Sequence, residues 1–199
     1  MSKKTFRTVI TISLLGCLLY YTTNQTQKFQ TNVENLTLDL EVEKTLFKHQ
    51  VDSINKVYQT ALDSLPLGSP LDTIHISSDF GFRRTPFGGG WRMHSGIDLK
   101  GTRWDTVFAT GMGVVTMSGW NSGYGKCVII DHTLGYSSKY AHLSRIFVKR
   151  GQFVNKGTPL GKCGSTGSST GQHLHYEISV KGQKVDPYLF LVFDSFLED

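Results

Sequence analysis

The sequence has few cysteines, few prolines and no long apolar run, and each shortage narrows what the chain can be. Five prolines in 199 residues, beside 39% hydrophobic residues, exclude a proline-rich polymer and leave a globular composition. The length suits one ordinary domain with appendages. Of three cysteines, Cys17 lies in the N-terminal run. Cys127 and Cys163 are then either one disulfide, if the domain is exported, or two buried free thiols, and spacing does not decide. Glycine is almost absent before Gly68 and dense from Gly81 to Gly171, so the chain divides near Ser64–Pro70. The formal net charge of +5 suits an anionic partner such as a cell wall or phospholipid headgroups. Lys and Arg are not interleaved with an aromatic stacking platform, which argues against nucleic acid.

The N-terminus reads as a targeting segment over residues 1–23. Lys3, Lys4 and Arg7 form a basic start, and Val9 to Tyr21 form an apolar run broken by Thr11, Ser13 and small residues. That run is shorter than the roughly 20 apolar residues of a comfortable membrane span and closer to a signal-peptide core. No small-x-small cleavage site follows it. The first reading is an uncleaved signal-anchor helix, with its basic end cytoplasmic and the rest exported. The second is a lipoprotein, because Leu14-Leu15-Gly16-Cys17 resembles a bacterial lipobox, although apolar Leu18 to Tyr21 follow where a polar tether is expected.

Residues 24–66 read as a linker plus a helix. The stretch 24–33 is polar. From about Leu36 to Leu65, Phe47, Val51, Ile54, Tyr58, Ala61 and Leu65 recur at steps of four and three, one stripe of a helix. Such a helix is a short coiled coil or a brace on the following domain. After Pro70 the period changes to two. Strands are expected at Thr73–Ser77, Val107–Thr110, Gly113–Ser118, Cys127–His132, Ser137–His142 and His173–Val180, separated by glycine-rich turns. Short strands without alternating helices indicate a mainly β, antiparallel domain over residues 67–199.

Five residues carry the chemistry. His94 and Asp98 sit in His94-Ser95-Gly96-Ile97-Asp98, His142 ends Tyr140-Ala141-His142, and His173 and His175 flank Leu174. In a strand His173 and His175 project from one face, about 7 Å apart, which suits one metal ligand beside one catalytic group. Two imidazoles and a carboxylate form a three-ligand zinc site with a fourth position open. A remaining histidine then moves a proton or stabilises an oxyanion. Taken singly, a His-x-His or a His-x-x-x-Asp carries little weight.

The order of the motifs carries more. Phe80-Gly81-Phe82-Arg83, Pro86, Arg92-Met93-His94-Ser95-Gly96-Ile97-Asp98, Gly123-Tyr124-Gly125, Ile130-Asp131-His132 and Tyr140-Ala141-His142-Leu143 follow one another. Val148–Gly157, then Gly164–Gly171 running into His173-Leu174-His175-Tyr176-Glu177, complete the series. Residues from about Ser78 to Leu191 so arranged resemble the lysostaphin-type (LytM-like) metallopeptidase domain. The resemblance implies an antiparallel β domain built as a duplicated hybrid motif, with zinc bound by His94, Asp98 and His175. It places His142 and His173 beside the reacting water and leaves open which is the base. It also implies hydrolysis of peptide bonds in peptidoglycan stem peptides or cross-bridges; the N-terminal segment adds a bacterial inner-membrane anchor, with the domain in the periplasm or otherwise outside the cytoplasm. Two departures from the family pattern are Gln172, where proline is usual, and the Gly88-Gly89-Gly90 loop. The rival reading is a non-enzymatic peptidoglycan-binding module that activates another hydrolase. Among other residues, Glu177 reads as a surface or fold-stabilising carboxylate before a partner of His175. His132 reads as structural, His49 as solvated and Tyr140 as lining the cleft or packing. Arg83 and Arg84 suit an anionic substrate, or an internal hydrogen bond for one and solvent for the other.

Overall fold

The computed structural model describes residues 3–84 and 88–193, with side chains described from Thr11 onward. Pro86 and the basic side chains of Lys3, Lys4 and Arg7 lie outside the described residues. The chain divides into two units, residues 1–56 and 57–199. In the first unit the described residues belong to one helix, α1 (Lys3–Ser64), which runs on into the second.

The stretch 24–33, expected as a linker, is therefore helical. No glycine or proline stands between Gly16 and Pro66 to interrupt the ladder. The polar side chains that suggested a linker include two that turn back on it: the hydroxyls of Thr26 and Thr31 donate to carbonyls four residues earlier, while those of Thr22 and Thr23, just before, reach back three and four. Phe47, Ile54 and Tyr58 of the expected packing stripe are exposed, and burial begins only with the half-buried Ala61 and Leu62. Among the described residues no helix is long and apolar enough to cross a membrane. The transmembrane anchor expected over residues 1–23 is thus not supported. Thr11, Ser13 and Gly16 dilute the apolar run, and Thr22 to Lys28 end it.

The second unit is a mainly antiparallel β domain. Its strands are β1 (Ile76–Ser78), β2 (Gly81–Arg84), β3 (Trp91–His94), β4 (Ile97–Lys100), β5 (Thr106–Phe108), β6 (Gly113–Asn121) and β7 (Gly125–Asp131). Then come β8 (Tyr136–Leu143), β9 (Arg145–Ile146), β10 (Phe153–Val154), β11 (Pro159–Lys162), β12 (His173–Val180) and β13 (Gln183–Val185), followed by a short helix, α2 (Tyr188–Phe193). The main sheet runs β1-β4-β12-β8-β7-β6-β10, with β13 also on β12. Strands β5, β11 and β9 form a second sheet, and β2 and β3 a hairpin. The main-sheet strands that the period-two pattern missed, β4, β10 and β13, are two to four residues long, too short for alternation to register.

The alternation on β4 and β12 sorts core from cleft. Ile97, Leu99, Leu174, Tyr176 and Ile178 are sealed in the core with Val115, Val128, Ile130 and Leu160. Asp98, His173, His175 and Glu177 occupy the intervening positions and face the other way. Cys127 and Cys163 are both buried and free, so of the two readings the thiols hold. Burial pushes the Cys163 thiol up to about 11.

A polar chain threads the core. The Thr110 amide donates to the Tyr140 hydroxyl at 2.9 Å, and the Thr110 hydroxyl shares hydrogen bonds with Tyr140 and Tyr176 at 2.9 and 2.8 Å. Ser138 joins Tyr140 to His132, whose Nδ1 donates to the Met112 carbonyl at 2.7 Å. Tyr140 is thus a core residue, not part of the cleft, and His132 is structural. Thr110→Val removes a partner of the sealed Tyr176 hydroxyl and should cost about 1–3 kcal/mol in urea denaturation. Burial lowers the His132 pKa from its ordinary 6.5. The unfolded chain then binds this proton more tightly than the native one, so His132 destabilises the fold progressively as pH drops below 6.5. Between pH 7 and 5 the Tm should fall more steeply for the natural protein than for His132→Asn; equal slopes would rule this out.

Candidate metal centre

The antiparallel register of β4 on β12 pairs Asp98 directly with His175. His94 ends β3 and reaches the same point across the Ser95-Gly96 turn. Gly96 has to be glycine: a Cβ there would run into the Tyr176 carbonyl and the Glu177 side chain. The three ligand atoms converge, His175 Nδ1 to Asp98 Oδ1 at 2.9 Å, His94 Nε2 to Asp98 Oδ1 at 3.2 Å, and His94 Nε2 to His175 Nδ1 at 3.1 Å.

Outward hydrogen bonds fix the tautomers. A carbonyl or ionised carboxylate only accepts, so the ring nitrogen facing it carries the proton. His94 Nδ1 donates to the Asp79 carbonyl at 2.7 Å, and His175 Nε2 donates to Glu177 at 3.1 Å. In the neutral rings the inward atoms, His94 Nε2 and His175 Nδ1, then hold lone pairs. Asp98 Oδ1, 2.9 Å from His175 Nδ1 and 3.2 Å from His94 Nε2, is satisfied at that spot either by a second proton on one of the rings or by a cation that all three atoms share. These residues form a set able to hold a metal ion.

Glu177 is the residue whose role the sequence understated. It is fully buried, not a surface carboxylate. Its Oε1 accepts from Ser95, Tyr124 and His175, and its Oε2 faces Lys139 at 3.0 Å and Lys184 at 2.6 Å. Burial alone would raise its pKa, but hydrogen bonds from His175, Lys184 and Ser95, with the Lys139 charge, hold it far below the usual carboxylate range. Burial also opposes the charge on Lys139, and Glu177 outweighs it to raise that pKa. The even spacing of His175 and Glu177 was the available signal. The odd one was Arg83, which donates to Asp98 Oδ2 at 3.2 Å and leaves Oδ1 to the ligand cluster. Burial is likewise outweighed at Asp98, where His175 and His94, when a ring carries its second proton, donate to the carboxyl and hold it well below its ordinary value.

His142 and His173 lie beside this cluster. Their ring centroids are 4.8 Å apart, and His142 is 5.7 Å from His175. His142 Nδ1 donates to the Thr166 carbonyl at 2.7 Å, and His173 Nδ1 to the Gly171 carbonyl at 2.9 Å, so both neutral rings keep Nε2 as a free base. Burial, then repulsion from His173 and His175, lowers the His142 pKa to about 4. His142 comes to lie against His173 and His175 by breaking the strand rule. On β8 it follows Ala141, which pairs with His175, so regular alternation would bury it beside Tyr140. Instead its φ is +62°, and the β7–β8 register shifts by one residue at this point. This bulge re-aims the ring. The cleft has a volume of about 700 Å³ and opens over His94, Asp98, His173 and His175.

Removing the Glu177 charge should loosen His175 and lower the affinity for a divalent metal ion by roughly 10- to 100-fold. Competition with a chelator measures this for Glu177→Gln; a change smaller than twofold would take Glu177 out of the site.

Comparison with known proteins agrees with this geometry. The model of peptidase family M23 matches residues 92–187, a stretch that contains all five residues. A DD-carboxypeptidase/endopeptidase, Mpg, of Neisseria meningitidis serogroup B is 45% identical over 118 residues, covering 59% of this chain and 27% of the relative. The chain spans about a quarter to a third of the length of the curated relatives it matches. Among solved structures, a zinc-containing peptidase from Vibrio cholerae is 33% identical with a TM-score of 0.55, over 62% of this chain and 38% of the other. The catalytic domain of lysostaphin from Staphylococcus simulans is 30% identical with a TM-score of 0.53, over 63% of this chain and 93% of that domain. The chain belongs to peptidase family M23 and has a lysostaphin-like fold.

Proposed function

We propose that this protein is a zinc-dependent endopeptidase that hydrolyses peptide bonds in the stem peptides or cross-bridges of peptidoglycan. The observation that carries this reading is the convergence of His94 Nε2, His175 Nδ1 and Asp98 Oδ1 beside two histidines whose Nδ1 atoms face backbone carbonyls. The separations of 2.9–3.2 Å among the converging atoms are close to the roughly 3.3 Å edge of a tetrahedron with ~2.0 Å bonds. His94, Asp98 and His175 would hold the zinc, which supplies a Lewis acid able to make water nucleophilic near neutral pH.

The chain's own groups do the rest. Arg83 and Glu177 hold Asp98 and His175 in place from outside. A neutral His142, with its pKa lowered to about 4, takes a proton at Nε2 as water adds to the scissile carbonyl. The same proton goes to the amide nitrogen as the C–N bond breaks. His173, whose Nε2 lies 3.6 Å from Asp98 Oδ1 and whose ring stands against His142, would stabilise the charge that develops on the carbonyl oxygen in its doubly protonated form, donating from Nε2. The substrate class draws its support from the endopeptidase relatives, and peptidoglycan as partner places the domain outside the cytoplasm.

The zinc-loaded full chain should release new amino termini from cross-linked peptidoglycan. His142→Ala should bind the same amount of zinc and turn over at least ~10²-fold more slowly. Zinc binding without cleavage by the unsubstituted chain would reject the enzyme in favour of the regulatory module.

A further inference from the structure

The cleft's charge is lopsided. Arg83, Arg92 and Lys100 line it against a single carboxylate, Asp98, and Arg83 is already engaged with that carboxylate. Lys100 is placed most pointedly. It follows Asp98 by two residues on β4, so it faces the cleft from the same side, about 7 Å further along. Leu99 between them is sealed in the core. Across the sheet Lys100 pairs in register with His173. Its amide donates to the His75 carbonyl, which fixes the backbone, while among the described residues its ammonium has neither a hydrogen bond nor an ion pair. Two other lysines on this face of the sheet, Lys139 and Lys184, are bound to Glu177.

We infer that Lys100 is a substrate anchor that takes a free carboxylate within one residue of the scissile bond. This rests on the endopeptidase reading and names the substrate class. An ammonium one strand step from the metal ligand, beside His173, is compensated when the substrate brings an anion to that place. Two peptidoglycan bonds have such an anion. In a direct cross-link, the diamino acid that supplies the amine keeps its own carboxylate next to the amide. At an uncross-linked stem, a terminal D-alanine carries its C-terminal carboxylate. The middle of a glycine bridge has neither, so Lys100 selects against it.

The test uses the zinc-loaded full chain and four substrates. They are a dimer joined by a D-alanyl–diaminopimelate bond, the same dimer with the adjacent carboxylate amidated, a pentapeptide stem ending in D-Ala-D-Ala, and pentaglycine. The free acid should be cut with kcat/KM on the order of 10- to 100-fold above its amide, mostly through KM. Lys100→Met, which keeps the aliphatic stem, should bring that ratio near one, and Lys100→Arg should restore most of it. A preference for the dimer assigns the carboxylate to the diamino acid, and a preference for the pentapeptide assigns it to the chain end. Equal cleavage of acid and amide, a preference that survives Lys100→Met, or efficient cleavage of pentaglycine overturns this inference alone. No cleavage of any substrate overturns the endopeptidase reading and this inference with it.

Discussion

The register between β4 and β12 governs the cleft. Placing Asp98 opposite His175 puts an acceptor oxygen 2.9 Å from a ring nitrogen with no adjustable torsion in the backbone between them. The same register places His173 opposite Lys100, and the next strand, β8, continues it by pairing Ala141 with His175. Asp98, Lys100, His173 and His175, four side chains from two strands, are thus located by one ladder of hydrogen bonds, and a slip of one residue would turn each of them into the core. The apolar residues between them, Leu99, Leu174 and Tyr176, resist that slip because they are fully buried.

The electrostatics are layered around this ladder. The cluster of acceptors is tolerable in a low-dielectric setting only with positive charge inside it and around it. Arg83 supplies part of that charge to Asp98. Lys139 and Lys184 supply it to Glu177, which lets a sealed carboxylate stay ionised and hold the His175 proton outward. The hydroxyls of Ser95 and Tyr124 complete the shell. A carboxylate with five partners is stiff, and the stiffness passes through His175 to the ligand cluster.

Much of this was legible from the residues. The spacing of His173 and His175, the even step from His94 to Asp98 and the ordered motifs brought together the five residues that the structure also brings together. Strand β12 was read with its observed bounds, His173–Val180. Alternation fails where the backbone departs from a regular strand. The positive φ of His142 is invisible to a period-two count, and β4 and β10 are too short to express one. Glu177 looked like a surface charge because the burial of a carboxylate depends on Lys139 and Lys184, which come from other strands. Residues 24–33 looked like a linker because their polarity says nothing of helix continuity, which the absence of glycine and proline decides.

The bulge at Ala141–His142 separates stability from activity. A strand closed up by one residue at this point would gain a regular ladder and shed the left-handed φ, while sending the histidine inward or out of the chain. Drift that favours sturdiness therefore runs toward descendants that are folded and able to hold a ligand cluster, yet without the base proposed above. Selection for turnover has to keep an irregular backbone in place at its own expense. On the endopeptidase reading, a lineage released from that selection has a short path from cutting to binding alone.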